Sequence, residues 1–255
     1  MLISVQNSFE ARTAAGHSLV TIVDLKDPSR GSLGFAGPKV ANEVIGVVTE
    51  TNPDKQISLA CGELHQWRLD SENLEAEFDI SDLEDIQWSA VSFVKVGLSG
   101  NFAATQDLDR LKRFFAIVPN HVRRVLAVYV DLFSMEQAGE LIREADTIGA
   151  SVLLLDTFEK SHGDLFAYVT ADQCQAIFRQ AKAQNMTNVL AGSINIASLH
   201  QAAETGADLL GVRGAVCQQD DSSAGETRKN SLCRHRLDQF LEATRVILEE
   251  APPVS

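Results

Sequence analysis

The sequence predicts a (β/α)8 TIM barrel, formed as one domain over residues 1–255. Three observations carry that expectation. Short apolar runs recur eight times, and most are apolar on both faces, as strands of a covered parallel sheet must be. Segments of helical periodicity separate them. Eight such units in 255 residues match the usual size of the barrel. An open doubly wound sheet is the competing arrangement. No low-complexity linker or compositional break asks for a second domain.

The strands are expected at LISVQ (2–6), LVTIVDLK (19–26), ISLACG (57–62), SFVKVGL (92–98), RVLAVYV (124–130), SVLLLDT (151–157), NVLAGSI (188–194) and DLLGVRGA (208–215). The helical patterns are PKVANEVIGVV (38–48), ATQDLDRLKRFFAIV (104–118), SMEQAGELIREADTIG (134–149), ADQCQAIFRQAKAQN (171–185), ASLHQAAETG (197–206) and RLDQFLEATRVILEE (236–250), before a PPVS tail. Ser134 and Thr170 stand where helix N-caps are wanted, and Gly149 and Gly206 where helices should stop. The third unit is the weakest. Its stretch HQWRLDSENLEAEFDISDLEDIQWS is acidic and irregular, which predicts a loop and a poorly amphipathic helix.

A net charge of -13 argues against a nucleic-acid surface or an anionic membrane as partner. It leaves room for a small anionic substrate, because a pocket can be basic on an acidic protein. The four cysteines, Cys61, Cys174, Cys217 and Cys233, have no CxxC spacing and read as reduced thiols of a cytoplasmic protein. The N-terminus lacks the pattern of a signal peptide, and no apolar run reaches spanning length. His65, His162 and His235 are scattered, and Cys233 beside His235 lacks ligand spacing, so no metal is expected. Neither GxGxxG nor GxxxxGK[ST] occurs, so no nucleotide cofactor is expected either. Self-association is left open.

In this fold the active site lies at the C-terminal ends of the strands. Asp24 and Lys26 end the second strand, Lys95 sits in the fourth, and Asp156 ends the sixth with Lys160 four residues on. Ser193 ends the seventh and Arg213 the eighth. Asp24 and Lys26, two residues apart, share a face. They form either a structural ion pair at the mouth or part of a site. Lys95 shares its face with Gly97, which is expected to leave open space above it. Apolar flanks predict burial of Lys95, and an unpaired buried ammonium is costly. Asp156 can also be read as a loop cap, and Lys160 as a solvated loop charge.

The seventh and eighth units place Gly192, Ser193, Gly211 and Gly214 in successive loops. Glycine lets backbone approach a ligand closely, and these loops frequently hold phosphate in this fold. Arg213 is expected to add a forked, permanent positive charge. Tight packing at strand ends is the plainer alternative for either motif alone.

Two lysines beside a phosphate site suggest amine chemistry on a sugar phosphate. Lowering a lysine pKa from about 10.4 to about 7 requires roughly 4.6 kcal/mol. A second ammonium about 6 Å away, at an effective dielectric of about 20, supplies roughly 2.8 kcal/mol. Desolvation can supply the rest. One amine then becomes nucleophilic while the other carries protons, with Asp24 and Asp156 assisting.

VDLKDPSRGSLG, FVKVGL, LLLDTFEKSHGDLF, LAGSI and GVRGAVC, in this order and spacing, resemble the (5-formylfuran-3-yl)methyl phosphate synthases, also called 4-(hydroxymethyl)-2-furancarboxaldehyde-phosphate synthases. The resemblance implies a Schiff-base-forming lyase of methanofuran biosynthesis. Such an enzyme joins two molecules of glyceraldehyde 3-phosphate into a phosphorylated furan, with loss of phosphate and water. It further implies that Lys26 is the Schiff-base lysine, Lys95 the proton-accepting lysine, and Asp24, Asp156 and Lys160 the remaining catalytic positions. The departures are the acidic third unit and the segment QQDDSSAGETRKNSLCRHR after the eighth strand. Two other functions compete. Another lysine Schiff-base aldolase would leave an acyclic sugar phosphate. A non-catalytic barrel that binds phosphate metabolites would have no use for the lysines.

Overall fold

A computed structural model describes residues 1–69, 76–219 and 229–250. Part of the acidic third unit (70–75), part of the segment after the eighth strand (220–228) and the PPVS tail lie outside the described residues. Eight parallel strands close into a barrel. They are β1 (Leu2–Val5), β2 (Ile22–Leu25), β3 (Gln56–Glu63), β4 (Phe93–Gly97), β5 (Arg123–Tyr129), β6 (Ala150–Asp156), β7 (Thr187–Leu190) and β8 (Leu209–Val212). Neighbours pair in chain order, and the ring shuts where Leu2 and Ile3 of β1 meet Gly211 and Val212 of β8. Each expected apolar run overlaps one strand. An open sheet is excluded by the pairing of first strand with last.

The covering helices are α1 (Ser8–Ala15), α2 (Pro38–Thr51), α3 (Ile80–Glu84), α4 (Leu108–Ile117), α5 (Met135–Arg143), α6 (Ala171–Ala183), α7 (Leu199–Glu204) and α8 (Arg234–Glu250). Ser134 and Thr170 cap α5 and α6 through reciprocal bonds with Gln137 and Gln173, satisfying backbone donors that the first turn leaves open. The pattern at 134–149 breaks at Glu144 into α5 and a single turn, Ala145–Ile148, which Gly149 ends at φ 71°. The unexpected helix is α1. Its buried positions are Glu10, Ala11, Ala14 and Ala15, so no stripe of large apolar residues announces it.

The third unit is short and irregular, as its composition predicts, yet it is firmly docked. Trp67–Arg68 pairs with Phe78–Asp79 in a separate two-residue parallel ladder. Trp67 is fully buried, donates its indole N–H to the Cys61 carbonyl at 2.6 Å, and packs between Phe35, Phe78 and Phe114. Aromatic contact thus replaces a long amphipathic helix on this side of the barrel.

Inside the barrel the chemistry changes over one inward step. Leu2, Ile22, Phe93 and Leu154 line the apolar lower interior. Two residues further along the same strands, on the same face, stand Ser4, Asp24, Lys95 and Asp156. That period of two lifts the polar layer onto an apolar plug, at the C-terminal mouth.

Candidate active site

The mouth opens into a cavity of about 630 Å3, lined among others by Ser4, Lys26, Lys95, Asp156, Lys160 and Ser193. Lys95 makes its ion pair with Asp24, Nζ to Oδ1, at 2.6 Å. The other oxygen of Asp24 accepts from Ser4 Oγ at 2.8 Å. A structural ion pair of Asp24 with Lys26, one of the two alternatives their spacing left open, does not form. Asp24 is committed across the barrel, because Lys95 projects from β4 toward it while Lys26 continues past the end of β2.

Lys160 pairs with Asp156 at 2.5 Å and also donates to Thr157 Oγ1 at 3.1 Å. Asp156 further accepts from the Thr157 N–H at 2.8 Å. Ser32, in the DPSRGSLG loop, donates to the Thr157 carbonyl at 3.0 Å and lies 3.5 Å from Asp156 Oδ2. That loop therefore braces the end of β6. Burial opposes the charge on Asp156, but Lys160, Lys26 and the hydrogen bonds hold its carboxyl below the usual range.

Lys26 is the odd member. Its backbone N–H donates to the Val5 carbonyl, but among the described residues its Nζ has no hydrogen-bond or ion-pair partner; the residue is 8% exposed and lines the cavity. Its pKa falls to about 7. Burial is the largest cause; Asp156 opposes it, Lys160 and Lys95 reinforce it, and Asp24 opposes it weakly. Desolvation thus outweighs the lysine–lysine coupling assigned to Lys95 from sequence, and Lys160 is the stronger of the two lysine neighbours.

Two expectations need correction. Gly97 does not leave open space above Lys95. A Cβ there would lie 2.0 Å from Glu63 Oε2, so the missing side chain makes room for a carboxylate. Glu63 ends β3, accepts from Tyr129 at 2.8 Å and from the Ser99 N–H at 3.1 Å, and is buried. Burial, Glu63 and Asp156 together push the Tyr129 phenol well above its ordinary pKa. Second, Arg213 does reach the cavity, but its charge is already matched. It pairs with buried Glu10 at 2.9 Å and donates to the carbonyls of Ser4 and Asn230.

The loops after β7 and β8 face the same cavity through Gly192, Ser193 and Gly214, whereas Gly211, expected in a loop, lines it from inside β8, where it pairs with Leu2 of β1. Gly192 at φ 95° and Ser193 at φ 56° both adopt left-handed backbone, and a side chain on Gly192 would meet Leu165 at 2.9 Å. The N–H groups of Gly192, Ser193, Gly214 and Ala215 donate to no backbone carbonyl among the described residues. Ser4, Ser32, Glu63, Tyr129 and Arg236 were not singled out from sequence. The signal that marks Asp24, a polar residue at the end of an apolar run, also marks Glu63, which follows ISLACG; Tyr129 lies inside RVLAVYV and carries no such mark. No group of three or more His, Cys, Asp or Glu side chains is placed to hold a metal among the described residues.

A sequence model described as 4-HFC-P synthase matches residues 1–239. The chain belongs to that family. A (5-formylfuran-3-yl)methyl phosphate synthase of Methanococcus maripaludis is 29% identical over 236 residues, covering 90% of this chain and 94% of that protein. One of Methanothermobacter thermautotrophicus is 27% identical over 246 residues, covering 94% and 99%. Among solved structures, a thiamine phosphate pyrophosphorylase from Pyrococcus furiosus superposes with a TM-score of 0.56 at 16% identity, over 98% of this chain and 94% of that one. At that identity the likeness concerns the barrel alone. This member of the 4-HFC-P synthase family is thus an enzyme, and its cavity combines one unpaired lysine with two lysine–carboxylate pairs. No helix among the described residues is long and apolar enough to cross a membrane.

Proposed function

We propose that the enzyme condenses two molecules of glyceraldehyde 3-phosphate to 4-(hydroxymethyl)-2-furancarboxaldehyde phosphate, through an imine on Lys26. One observation carries this: Lys26 is a buried, unpaired amine with a pKa near 7, opening on a cavity shared with two acid–base pairs. A substantial fraction of Lys26 is then free amine at neutral pH and attacks the triose carbonyl. The imine acidifies the adjacent C–H. Lys95 with Asp24 on one side, and Lys160 with Asp156 on the other, exchange protons as phosphate leaves, the second triose adds and water is lost. Each pair can hold or release a proton while its partner balances the charge. The backbone N–H groups of Gly192, Ser193 and Gly214 are the cradle for a substrate phosphate, as open amides suit an anion. Such a lyase activity fits a role in making a methanofuran-type cofactor in the cytoplasm.

The test is reductive trapping. Borohydride added during turnover of glyceraldehyde 3-phosphate should leave a stable adduct on the peptide carrying Lys26, and mass spectrometry should identify the furan phosphate. Lys26→Arg keeps the charge but cannot form the imine, so turnover should vanish. An adduct on Lys95 alone reverses the two roles, and an acyclic sugar phosphate as product makes the enzyme an aldolase instead.

A further inference from the structure

We propose that Arg236, rather than Arg213, supplies the permanent positive charge that fixes a substrate phosphate in the cavity. The proposal rests on the sugar-phosphate reading above and starts from the charge balance of the cavity wall. Three of its cations are already matched by carboxylates: Lys95 by Asp24, Lys160 by Asp156 and Arg213 by Glu10. Lys26 is unpaired, but near neutral pH it loses its proton and is needed as an amine.

Arg236 is different. It stands in the first turns of α8 and lines the cavity beside Gly214 and Ala215. Its Nε donates to the Ala215 carbonyl at 3.3 Å, which sets the guanidinium against the loop after β8. Among the described residues no carboxylate pairs with it, and both Nη atoms are without a protein partner. The same loop offers the unengaged N–H groups of Gly214 and Ala215. A forked cation with two uncommitted nitrogens, adjoining two open amides, is the arrangement that a phosphate monoester dianion fits.

Arg213 cannot take this part without loss elsewhere. Both of its terminal nitrogens are committed, to Glu10, Ser4 and Asn230, and it is buried. A phosphate drawing on Arg213 would compete with the buried carboxylate of Glu10 for the same donors. Among the described residues Arg236 meets no such competitor. Asp164, which also lines the cavity, is held by the Phe166 N–H and the Asn195 amide.

The experiment uses two probes on the full-length enzyme. Glyceraldehyde 3-phosphate reports turnover. Glycerol 3-phosphate has no carbonyl, forms no imine and reports phosphate binding alone, by competitive inhibition and by calorimetry. Arg236→Gln should weaken glycerol 3-phosphate binding and raise KM by about 10- to 100-fold, the range for loss of a charged hydrogen bond. Its kcat should stay within about threefold of the parent, because the lysines and carboxylates are untouched. Arg236→Lys should recover part of the affinity, which a purely structural role for the guanidinium does not predict. If both constants change by less than about threefold in Arg236→Gln, the assignment is overturned while the sugar-phosphate reading stands. If the parent enzyme neither turns over glyceraldehyde 3-phosphate nor binds glycerol 3-phosphate, that reading fails and the assignment with it.

Discussion

At the scale of single residues, the defining feature is a lysine kept at a disadvantage. Lys26 would carry a pKa of 10.5 in the unfolded chain and has one of about 7 in the fold, mainly through burial. The unfolded state therefore holds the proton more tightly between those values. Stability from this group rises with pH from about 7 to 10.5, and below about 7 the fold bears the whole cost of a buried ammonium. Lys26→Met removes that cost. It should abolish turnover yet raise the thermal midpoint, with a larger gain at pH 6 than at pH 9; an equal gain at both would separate the effect from protonation. The same ionisation should shape the rate. Below pH 7, kcat/KM should fall about tenfold per unit as free amine is lost, and it should level above that. Lys160 lowers the Lys26 pKa, so in Lys160→Gln the acid limb should move to higher pH, which a pH–rate profile reads directly.

At the scale of elements, the mouth is tied together by pairs of strand ends. Glu63 of β3 occupies the space that Gly97 of β4 leaves, and Tyr129 of β5 donates to it, so three strand ends meet on one buried carboxylate. Gly97→Ala would drive a methyl into Glu63, which cannot swing away without losing Tyr129 and the Ser99 N–H. The expected loss is about 1–3 kcal/mol in urea unfolding. In a Glu63→Ala background the same change should cost little, and an additive cycle would show that the two positions do not press on each other. Elements were legible in the sequence wherever burial alone dictates the residues. Covered parallel strands read as apolar runs, and the polar ends at Asp24, Lys26 and Asp156 stood out against them. Helix α1 was hidden because its buried face is made of alanines and one glutamate. Partner choice was hidden too. Asp24 is two residues from Lys26 along the chain, but its ion pair with Lys95 exists only once β2 and β4 curve round the same interior. The occupant of the space at Gly97 came from β3, which parity within β4 cannot reveal.

At the scale of the whole molecule, a closed barrel must join its first unit to its last, and one buried carboxylate does much of that. Glu10 of α1 accepts from Gln6 N–H and Nε2 on its own side of the seam. Across the seam it accepts from Arg213, just past β8, and from the Leu232 N–H on the approach to α8. These contacts span 203 and 222 residues of chain, beside the β1–β8 pairing that shuts the sheet. Such separation also explains why Arg213 looked from sequence like a free cation for phosphate. Glu10→Ala should leave a buried guanidinium without its counter-charge, a loss of about 3–5 kcal/mol. For a protein of this size that corresponds to roughly 6–20 °C in thermal midpoint. Amides of β1 and β8 should exchange faster than those of β5 and β6, because the seam opens first. Arg213→Gln should destabilise by a comparable amount, and the double variant Glu10→Gln with Arg213→Gln by less than the sum, since neither charge is then stranded. If instead Arg213→Gln raises the KM of the enzyme with the thermal midpoint unchanged, Arg213 serves the substrate and the seam is held by other contacts.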